Sequence, residues 1–293
     1  MALGPTVSLT PGLASLVLLG AATHASWNAL VKISTDKLIT QTLVIATGGV
    51  LLLPVALLSD LPAAASWPYL LGSAAIHNLY FFFLLRAYHW GDLSQVYPLS
   101  RGLAPLLVAL LALVVADERL TATGTAGVVL VSIGLLSLAF AGRRSAAVTV
   151  TNGAKPLLFA AGTGMTVAAY TLCDGLGIRV SESPLGFIAW LFVISALPLV
   201  AATWVLRRGR IRPLLRQHAA RGVVGGLLAT YGYGVAIWAL GFGAMAHVSA
   251  LRETSVIFGA LIGAVFLGEP FGRRRIGAAV LVAAGAALLS LGR

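Results

Sequence analysis

The sequence predicts an all-α integral membrane protein: ten transmembrane helices, arranged as two inverted five-helix repeats around a central cavity. Two observations carry this prediction, an apolar composition with recurring spans and a similarity between the two halves. Hydrophobic residues make up 59% of the 293 residues, charged residues make up 10%, and the mean hydropathy is +0.95. A soluble domain carries about 25% charged residues, so this chain has too few to cover a soluble surface.

Ten apolar segments recur along the chain, each close to the ~20 residues that cross a hydrocarbon core about 30 Å thick. The connections between them are short, so no soluble domain is predicted. The single cysteine, Cys173, excludes an internal disulfide. The predicted spans are residues 13–33, 39–58, 68–88, 93–115, 121–141, 156–177, 184–206, 219–241, 245–268 and 275–291.

The two halves of the chain resemble each other. Residues 86–96, RAYHWGDLSQV, match residues 238–248, WALGFGAMAHV. Further on, LLVALLALVVADERL resembles FGALIGAVFLGEPF, in a register that places Arg101 opposite Arg252. We therefore predict two repeats, residues 1–145 and 146–293. Because each repeat has an odd number of spans, the second is inverted relative to the first, an arrangement typical of transporters with a site near the bilayer midplane.

Basic residues predict the orientation. Cytoplasmic loops carry an excess of Lys and Arg, so the loops after spans one, three, five, seven and nine are predicted to be cytoplasmic and both termini are not. The net charge of +11 is then explained by topology, and no nucleic-acid partner is predicted. Fifteen of the twenty basic residues lie in or beside these loops: Lys32, Lys37, Arg86, Arg143, Arg144, Lys155, Arg207, Arg208, Arg210, Arg212, Arg216, Arg221, Arg273, Arg274 and Arg275.

Polar side chains inside spans are the candidate substrate contacts. An ionisable group at the bilayer centre costs about 2.5–3.5 kcal/mol on insertion scales and tends to face a cavity or a partner. Helical spacing places such residues on shared faces. A tyrosine or tryptophan near a span end is more often an interfacial anchor, and a histidine could simply bind a neighbouring helix. The candidates are His24, Trp27, Asn28, His77, Tyr80, Tyr97, Arg101, Tyr170, Tyr231, Trp238, Arg252 and Glu253. 

Asp174 lies near the predicted end of span six and stays ambiguous, although it continues a stripe with Thr166 and Tyr170. Glu118 and Glu269 lie at span ends and are predicted to be solvated or to cap helices.

Arg252 and Glu253 are adjacent and precede an apolar run. Neighbouring residues of a helix point about 100° apart, so both cannot face one spot. We predict that Glu253 pairs with Arg101, which leaves Arg252 to face the cavity and bind a carboxylate bidentately. The rival interpretation is a structural ion pair that joins spans four and nine.

Three features resemble the drug/metabolite transporter superfamily, EamA type: the repeat, THASWNALVK in span one, and apolar runs that close in ADERL and LGEP. The resemblance covers residues 12–291. It implies a monomeric secondary transporter whose cavity is lined by spans one, three, four, six, eight and nine. Within the superfamily, the chain is most similar to bacterial exporters of amino acids and related metabolites. This resemblance implies that the protein lies in the bacterial inner membrane. Many ten-span relatives have both termini in the cytoplasm, whereas the charges of this chain predict the reverse.

An aromatic-lined cavity with few charges suits neutral or apolar amino acids, so amino-acid export by alternating access is the expected function. A multidrug effluxer for organic cations, a lipid-linked carrier flippase and a channel are the alternatives. Coupling to protons through a buried histidine or carboxylate and facilitated diffusion both stay open. No metalloprotease or nucleophile-elbow motif occurs, so no enzyme, catalytic residue, metal or cofactor is predicted.

Overall fold

The computed structural model describes residues 10–90, 93–139, 154–266 and 272–291, which are almost entirely helical and contain no strand. A short 3₁₀ turn, Ala64–Ser66, precedes α3. The first half forms α1 (Pro11–Lys32), α2 (Lys37–Leu58), α3 (Trp67–Trp90), α4 (Leu93–Ala116) and α5 (Ala122–Ala139). The second half forms α6 (Lys155–Arg179), α7 (Pro184–Leu206), α8 (Ile211–Leu240), α9 (Met245–Glu253), α10 (Ser255–Phe266) and α11 (Arg273–Leu291).

Each predicted span falls on a helix, with two differences in extent. α8 begins at Ile211, well before the predicted residue 219, because the basic segment that precedes the apolar run is rich in Arg, Leu, Gln and Ala, and Pro213 lies in the first turn, where it is tolerated. The ninth span is divided at Thr254 into α9 and α10. The predicted ends at residues 141 and 268 lie outside the described residues.

Seven of the described helices are long and apolar enough to cross a membrane. All seven coincide with predicted spans, so the multi-pass membrane architecture agrees with the sequence. These helices are Pro11–Lys32, Lys37–Leu58, Val96–Ala116, Ala122–Ala139, Lys155–Arg179, Pro184–Leu206 and Ile211–Leu240.

The helices of the two halves pack against each other across the bundle. α3 packs on α6, and α1 packs on α8. α4 packs on α6, while α1 also packs on α9 and α10. α2 meets α7, and α5 meets α11. The helices that meet at the centre therefore come from both halves, and any site there is shared between them.

Glycines allow the closest of these crossings. A Cβ added to Gly232 of α8 would lie 2.7 Å from the carbonyl oxygen of Gly20 in α1. A Cβ on Gly285 of α11 would lie 2.7 Å from the carbonyl oxygen of Gly127 in α5. Small residues at such contacts let membrane helices approach through their backbones, where dispersion forces are strongest.

The break between α9 and α10 lies beside the two adjacent charges. The Thr254 hydroxyl donates to the Leu251 carbonyl at 2.6 Å, and its N–H reaches the same carbonyl at 3.2 Å. Glu253 ends α9 and Ser255 begins α10. Irregular backbone at membrane depth is tolerated where it is buried in protein or lines a cavity, so the break indicates where a site lies.

Candidate functional site

A buried ion pair joins α4 to α9. Arg101 Nε lies 2.6 Å from Glu253 Oε2, and the two side chains are only 4% and 2% exposed. At this distance the two opposite charges form a close ion pair. Burying a charge is costly unless it is paired and hydrogen-bonded. The predicted pairing of Glu253 with Arg101 is therefore confirmed.

The Arg101 guanidinium has further capacity to bind. Its Cζ lies 5.9 Å from the centroid of the Tyr97 ring, a cation–π contact within the same helix. Its Nη2 is buried and has no hydrogen-bond partner among the described residues. A buried donor without a partner is costly, so this nitrogen is suited to an acceptor that the protein does not supply.

Arg252 is separate from that pair and is only partly buried. Its Cζ lies 5.2 Å from the centroid of the Tyr233 ring. Within the described part of the chain no carboxylate lies at ion-pair distance from it, although His24, His77, Asp174 and Glu253 lie within reach of its electrostatic field. The prediction that the two adjacent charges point to different surroundings is confirmed.

A second buried carboxylate, Asp174, joins three helices. It is 0% exposed and accepts a hydrogen bond from the Ser73 hydroxyl of α3 at 2.5 Å. It accepts another from the Tyr233 hydroxyl of α8, also at 2.5 Å. The sequence left Asp174 ambiguous because span six was predicted to end near it. α6 continues to Arg179, which places Asp174 inside the helix.

Aromatic rings stack beside this carboxylate. The rings of His77 and Tyr170 are stacked, with centroids 3.9 Å apart and planes at 27°. His77 also meets the Tyr233 ring edge to face at 5.3 Å, and Tyr80 meets Tyr170 in the same way at 6.2 Å. His77 Nδ1 lies 2.9 Å from the Ser73 carbonyl oxygen. Since a carbonyl only accepts, Nδ1 carries the proton, and Nε2 is an acceptor in the neutral ring.

The predicted face of α1 points toward the two arginines. His24 lies within electrostatic reach of Arg101 and Arg252. Its ring meets Trp27 edge to face at 5.1 Å. Asn28 Nδ2 donates to the His24 carbonyl at 2.8 Å, which leaves the amide oxygen of Asn28 available as an acceptor. This oxygen suits a donor such as an ammonium group.

Tyr231 and Trp238 lie apart from this cluster. Within the described residues Tyr231 makes no ring contact or side-chain hydrogen bond, while Trp238 is 38% exposed and pairs with Phe242 at 5.1 Å. Tyr233 contacts the cluster instead. At 100° per residue Tyr231 and Trp238 share a helix face, and Tyr233 points to nearly the opposite one. The YGYG segment gives no signal for which face points inward.

The family is decided by comparison with known proteins. The model of the EamA-like transporter family matches residues 12–140 and again residues 154–291. The chain belongs to this family. The match confirms the resemblance read from the sequence, and it makes the protein a membrane transporter of the drug/metabolite type.

The fold of this EamA-like transporter is similar to that of a solved structure described as a crystal structure of a protein. The two chains are 18% identical, 95% of each is covered, and the TM-score is 0.70. This likeness shows the fold. No curated protein sequence matches the chain.

One face of the EamA-like bundle is closed by Glu118 and Arg179. We name it the Glu118 face, and α2, α4, α6 and α8 end there. Glu118 Oε1 lies 2.6 Å from Arg179 Nη1, and Glu118 Oε2 accepts the Met245 N–H at 2.9 Å, at the start of α9. Arg179 also donates to the carbonyls of Leu240 and Gly243, at 3.0 and 2.8 Å. The sequence predicts that Glu118 is either solvated or caps a helix. In the structure it caps the start of α9.

The opposite face, which we name the Asp36 face, is also joined across the halves. Asp36 caps α2 through the Ile39 N–H at 3.1 Å and pairs with Arg207 Nε at 3.0 Å. His218 Nδ1 lies 3.0 Å from the Ser34 hydroxyl. Burial alone would raise the pKa of Asp36, but the hydrogen bonds from Arg207 and Ile39 and the charge of Arg207 hold that pKa below its ordinary value.

Proposed function

We propose that this EamA-like transporter moves amino acids and related small carboxylate metabolites through the centre of the bundle by alternating access. One observation carries the proposal. Four charges lie at the centre, and three of them are closed off: Arg101 is 3% exposed, Asp174 0% and Glu253 2%. Arg252 is the partly exposed one, and it lacks a carboxylate partner among the described residues. A solute that enters therefore meets a cation first.

A carboxylate fits this arginine. A guanidinium presents two parallel N–H groups that match the two oxygens of a carboxylate. The unpartnered Nη2 of Arg101 supplies a further donor on the neighbouring helix α4. Glu253 neutralises the charge of Arg101 without occupying Arg252, so the attraction for an anionic group persists.

The rest of an amino acid would meet aromatic rings and the amide of Asn28. The faces of Tyr80, Tyr97 and Tyr170 suit an apolar side chain or a cation. The Asn28 oxygen is an acceptor for the substrate ammonium group. This combination favours neutral and apolar amino acids over strongly charged ones.

The contacts between the halves support alternating access with an inverted-repeat arrangement of residues 1–145 and 146–293. A site shared by two repeats opens to either side when one rocks against the other. One chain supplies both halves, so we propose a monomer. We propose that the protein lies in the bacterial inner membrane. The loop charges favour an orientation in which the Asp36 face lies on the cytoplasmic side and both termini lie outside the cytoplasm.

Single cysteines test this orientation. In a Cys173→Ser background, Arg208→Cys lies beside the Asp36 face and Arg119→Cys beside the Glu118 face. In intact cells a membrane-impermeant maleimide should label the cysteine at 119 and spare the one at 208. The reverse pattern contradicts the proposed orientation.

An organic-cation effluxer is the second candidate. The stacked rings of His77 and Tyr170 lie beside the carboxylate of Asp174, and a hydrophobic cation would bind such a group if the carboxylate became exposed during transport. This candidate needs no free arginine, so it predicts a different substrate range.

Flux into proteoliposomes separates the two candidates. Labelled phenylalanine carries both charged groups, phenethylamine lacks the carboxylate, and 3-phenylpropionate lacks the ammonium. We expect protein-dependent flux of phenylalanine, weaker flux of phenylpropionate and none of the amine. Flux of the amine and of ethidium without phenylalanine, leucine or another amino acid overturns the proposal in favour of the effluxer.

Arg252→Gln supplies the matched test of the site. Losing a charge-assisted hydrogen bond costs about 1.5–3 kcal/mol, so amino-acid flux should fall about tenfold to a hundredfold. Arg119→Gln is the control, because Arg119 is 67% exposed and lies in a loop. Unchanged flux in Arg252→Gln, with both variants folded by gel filtration, contradicts the carboxylate role.

A further inference from the structure

Asp174 is a buried carboxylate with no cation at ion-pair distance in the part of the chain that the structure describes. Its two hydrogen bonds come from neutral hydroxyl groups, those of Ser73 and Tyr233. Glu253 differs, because Arg101 lies 2.6 Å from it. Burying an ionised carboxylate without a contacting cation is costly, and such groups tend to take up a proton. Asp174 is therefore the central group best placed to alternate between two protonation states.

Tyr233 connects this carboxylate to Arg252. Its hydroxyl donates to Asp174, and the face of the same ring lies 5.2 Å from Arg252 Cζ. Arg252 is a cation whose charge acts on Asp174, and no described carboxylate lies at ion-pair distance from it. The charge on Asp174 and the availability of Arg252 are thus linked through one side chain.

We propose that Asp174 is the proton-coupling site of this transporter, and that it takes up one proton when a substrate carboxylate binds Arg252. The proposal rests on the proposed function, which places the carboxylate at Arg252. With the cavity empty, Arg252 balances the negative charge of Asp174. A bound substrate carboxylate neutralises the positive charge of Arg252. Asp174 then takes up a proton from the aqueous phase that the cavity faces. The Tyr233 hydroxyl turns from donor to acceptor.

The coupling is reciprocal, as any linkage between two binding equilibria must be. A proton on Asp174 removes the negative charge that opposes binding of a substrate carboxylate at Arg252, and the bound substrate raises the affinity for the proton. Both ligands cross in the same direction and leave together. The substrate ammonium does not replace the proton, because Asp174 is 0% exposed and hydrogen-bonded to Ser73 and Tyr233, while Asn28 is only partly buried.

Other titratable groups surround Asp174, and one of them is a competing proton carrier. His77 stacks on Tyr170 and donates its Nδ1 proton to the Ser73 carbonyl, so its Nε2 could accept a proton. The described helix α7 and the 3₁₀ turn contribute no titratable group. The titratable groups on α6 and on the elements packed against it include Tyr69, His77 and Tyr80 of α3, Tyr97 and Arg101 of α4, Tyr170, Cys173 and Arg179 of α6, Tyr231 and Tyr233 of α8, and His247, Arg252 and Glu253 of α9; Arg86, His89, Lys155, Arg212, Arg216, His218 and Arg221 lie toward the Asp36 ends of their helices.

Proteoliposomes with a trapped pH dye measure both fluxes at once. The probe is labelled phenylalanine, or whichever of the twenty proteinogenic amino acids shows the fastest protein-dependent flux. We expect about one proton to enter with each amino acid, and an inward proton gradient to drive accumulation. Asp174→Asn should reduce the proton-to-substrate ratio to near zero and abolish accumulation, while exchange of labelled for unlabelled amino acid continues at a reduced rate.

Asp117→Asn is the matched control. Asp117 is 72% exposed, and its positive φ of 49° is a conformation that Asn readily adopts. The same chemical change there should leave the ratio at about one. His77→Gln should lower the rate without removing proton movement.

Several outcomes overturn the proposal while leaving the proposed function intact. These are amino-acid flux without proton movement, proton movement opposite to the substrate, and proton coupling that survives Asp174→Asn but is lost in His77→Gln. If no amino acid moves in the unaltered protein, the proposed function itself fails.

A second variant covers the case in which Asp174→Asn does not fold. Tyr233→Phe keeps the ring under Arg252 but removes a donor to the ionised carboxylate, which favours its protonated form. The pH at half-maximal proton-coupled flux should rise by about one unit. An unchanged pH profile in a folded Tyr233→Phe variant contradicts the link between Tyr233 and the proton site.

Discussion

Replacing Glu253 by Gln tests whether the buried ion pair holds the two halves together. The substitution leaves the Arg101 guanidinium, in a side chain that is 4% exposed, without its counter-charge. Breaking a buried pair in this way costs about 3–5 kcal/mol. At roughly 2 °C per kcal/mol for a chain of this size, the apparent unfolding temperature should fall by about 6–10 °C.

Tryptophan fluorescence during heating of the detergent-solubilised protein measures this change. Asp117→Asn is the control, because its 3.5 Å pair with Arg119 is exposed on both sides and such pairs contribute little. The double variant Arg101→Met with Glu253→Leu removes both charges and keeps the volume, so it should recover most of the lost stability. A fall of less than about 2 °C in Glu253→Gln, or a double variant no better than the single one, would refute a structural role for the pair.

Two further predictions concern helix packing and pH. Gly232→Ala should lower stability by about 1–3 kcal/mol, because its Cβ would meet the Gly20 backbone at 2.7 Å. A Cβ at Gly259 meets nothing within 4 Å, so Gly259→Ala should be neutral or slightly stabilising. Thermal unfolding of the two variants side by side checks both. Asp36→Asn keeps the cap but loses the pair with Arg207, which is 35% exposed, so the loss should be below about 1 kcal/mol. Since the pKa of Asp36 is lowered by folding, its contribution is present above the unfolded value of about 4 and fades as the pH falls through the folded value. The wild type should therefore lose its advantage over Asp36→Asn in acid, and an advantage that grows there contradicts this reasoning.

The spans and the central ion pair could be predicted because the bilayer imposes strong constraints on both. Runs of apolar residues must match the hydrocarbon thickness, and a charge inside a span must find a partner. The similarity of the halves placed Arg101 opposite Arg252, and helix geometry then predicted that Glu253 pairs with Arg101. Each step followed from spacing alone.

Residues outside those constraints were missed. Spacing shows which side chains share a helix face but not whether that face points to lipid or to the interior, and a membrane helix accepts a tyrosine on either. Tyr231 was therefore chosen over Tyr233, and Ser73 was not considered although it lies one turn before His77. The contact of Glu118 with Arg179 joins residues far apart in sequence, and no local sequence pattern predicts it.

The short helix α9 explains why a transporter would place two full charges side by side. It has 9 residues and spans about 13 Å at 1.5 Å per residue. Its first N–H, that of Met245, is bound by Glu118, and its last residue, Glu253, is bound by Arg101. Both partners belong to the first half, so α9 is fixed to that half at each end and carries Arg252 with it. Opening the Glu118 face would then separate Glu118 from Arg179 of the second half, while α9 and Arg252 stay with the first half.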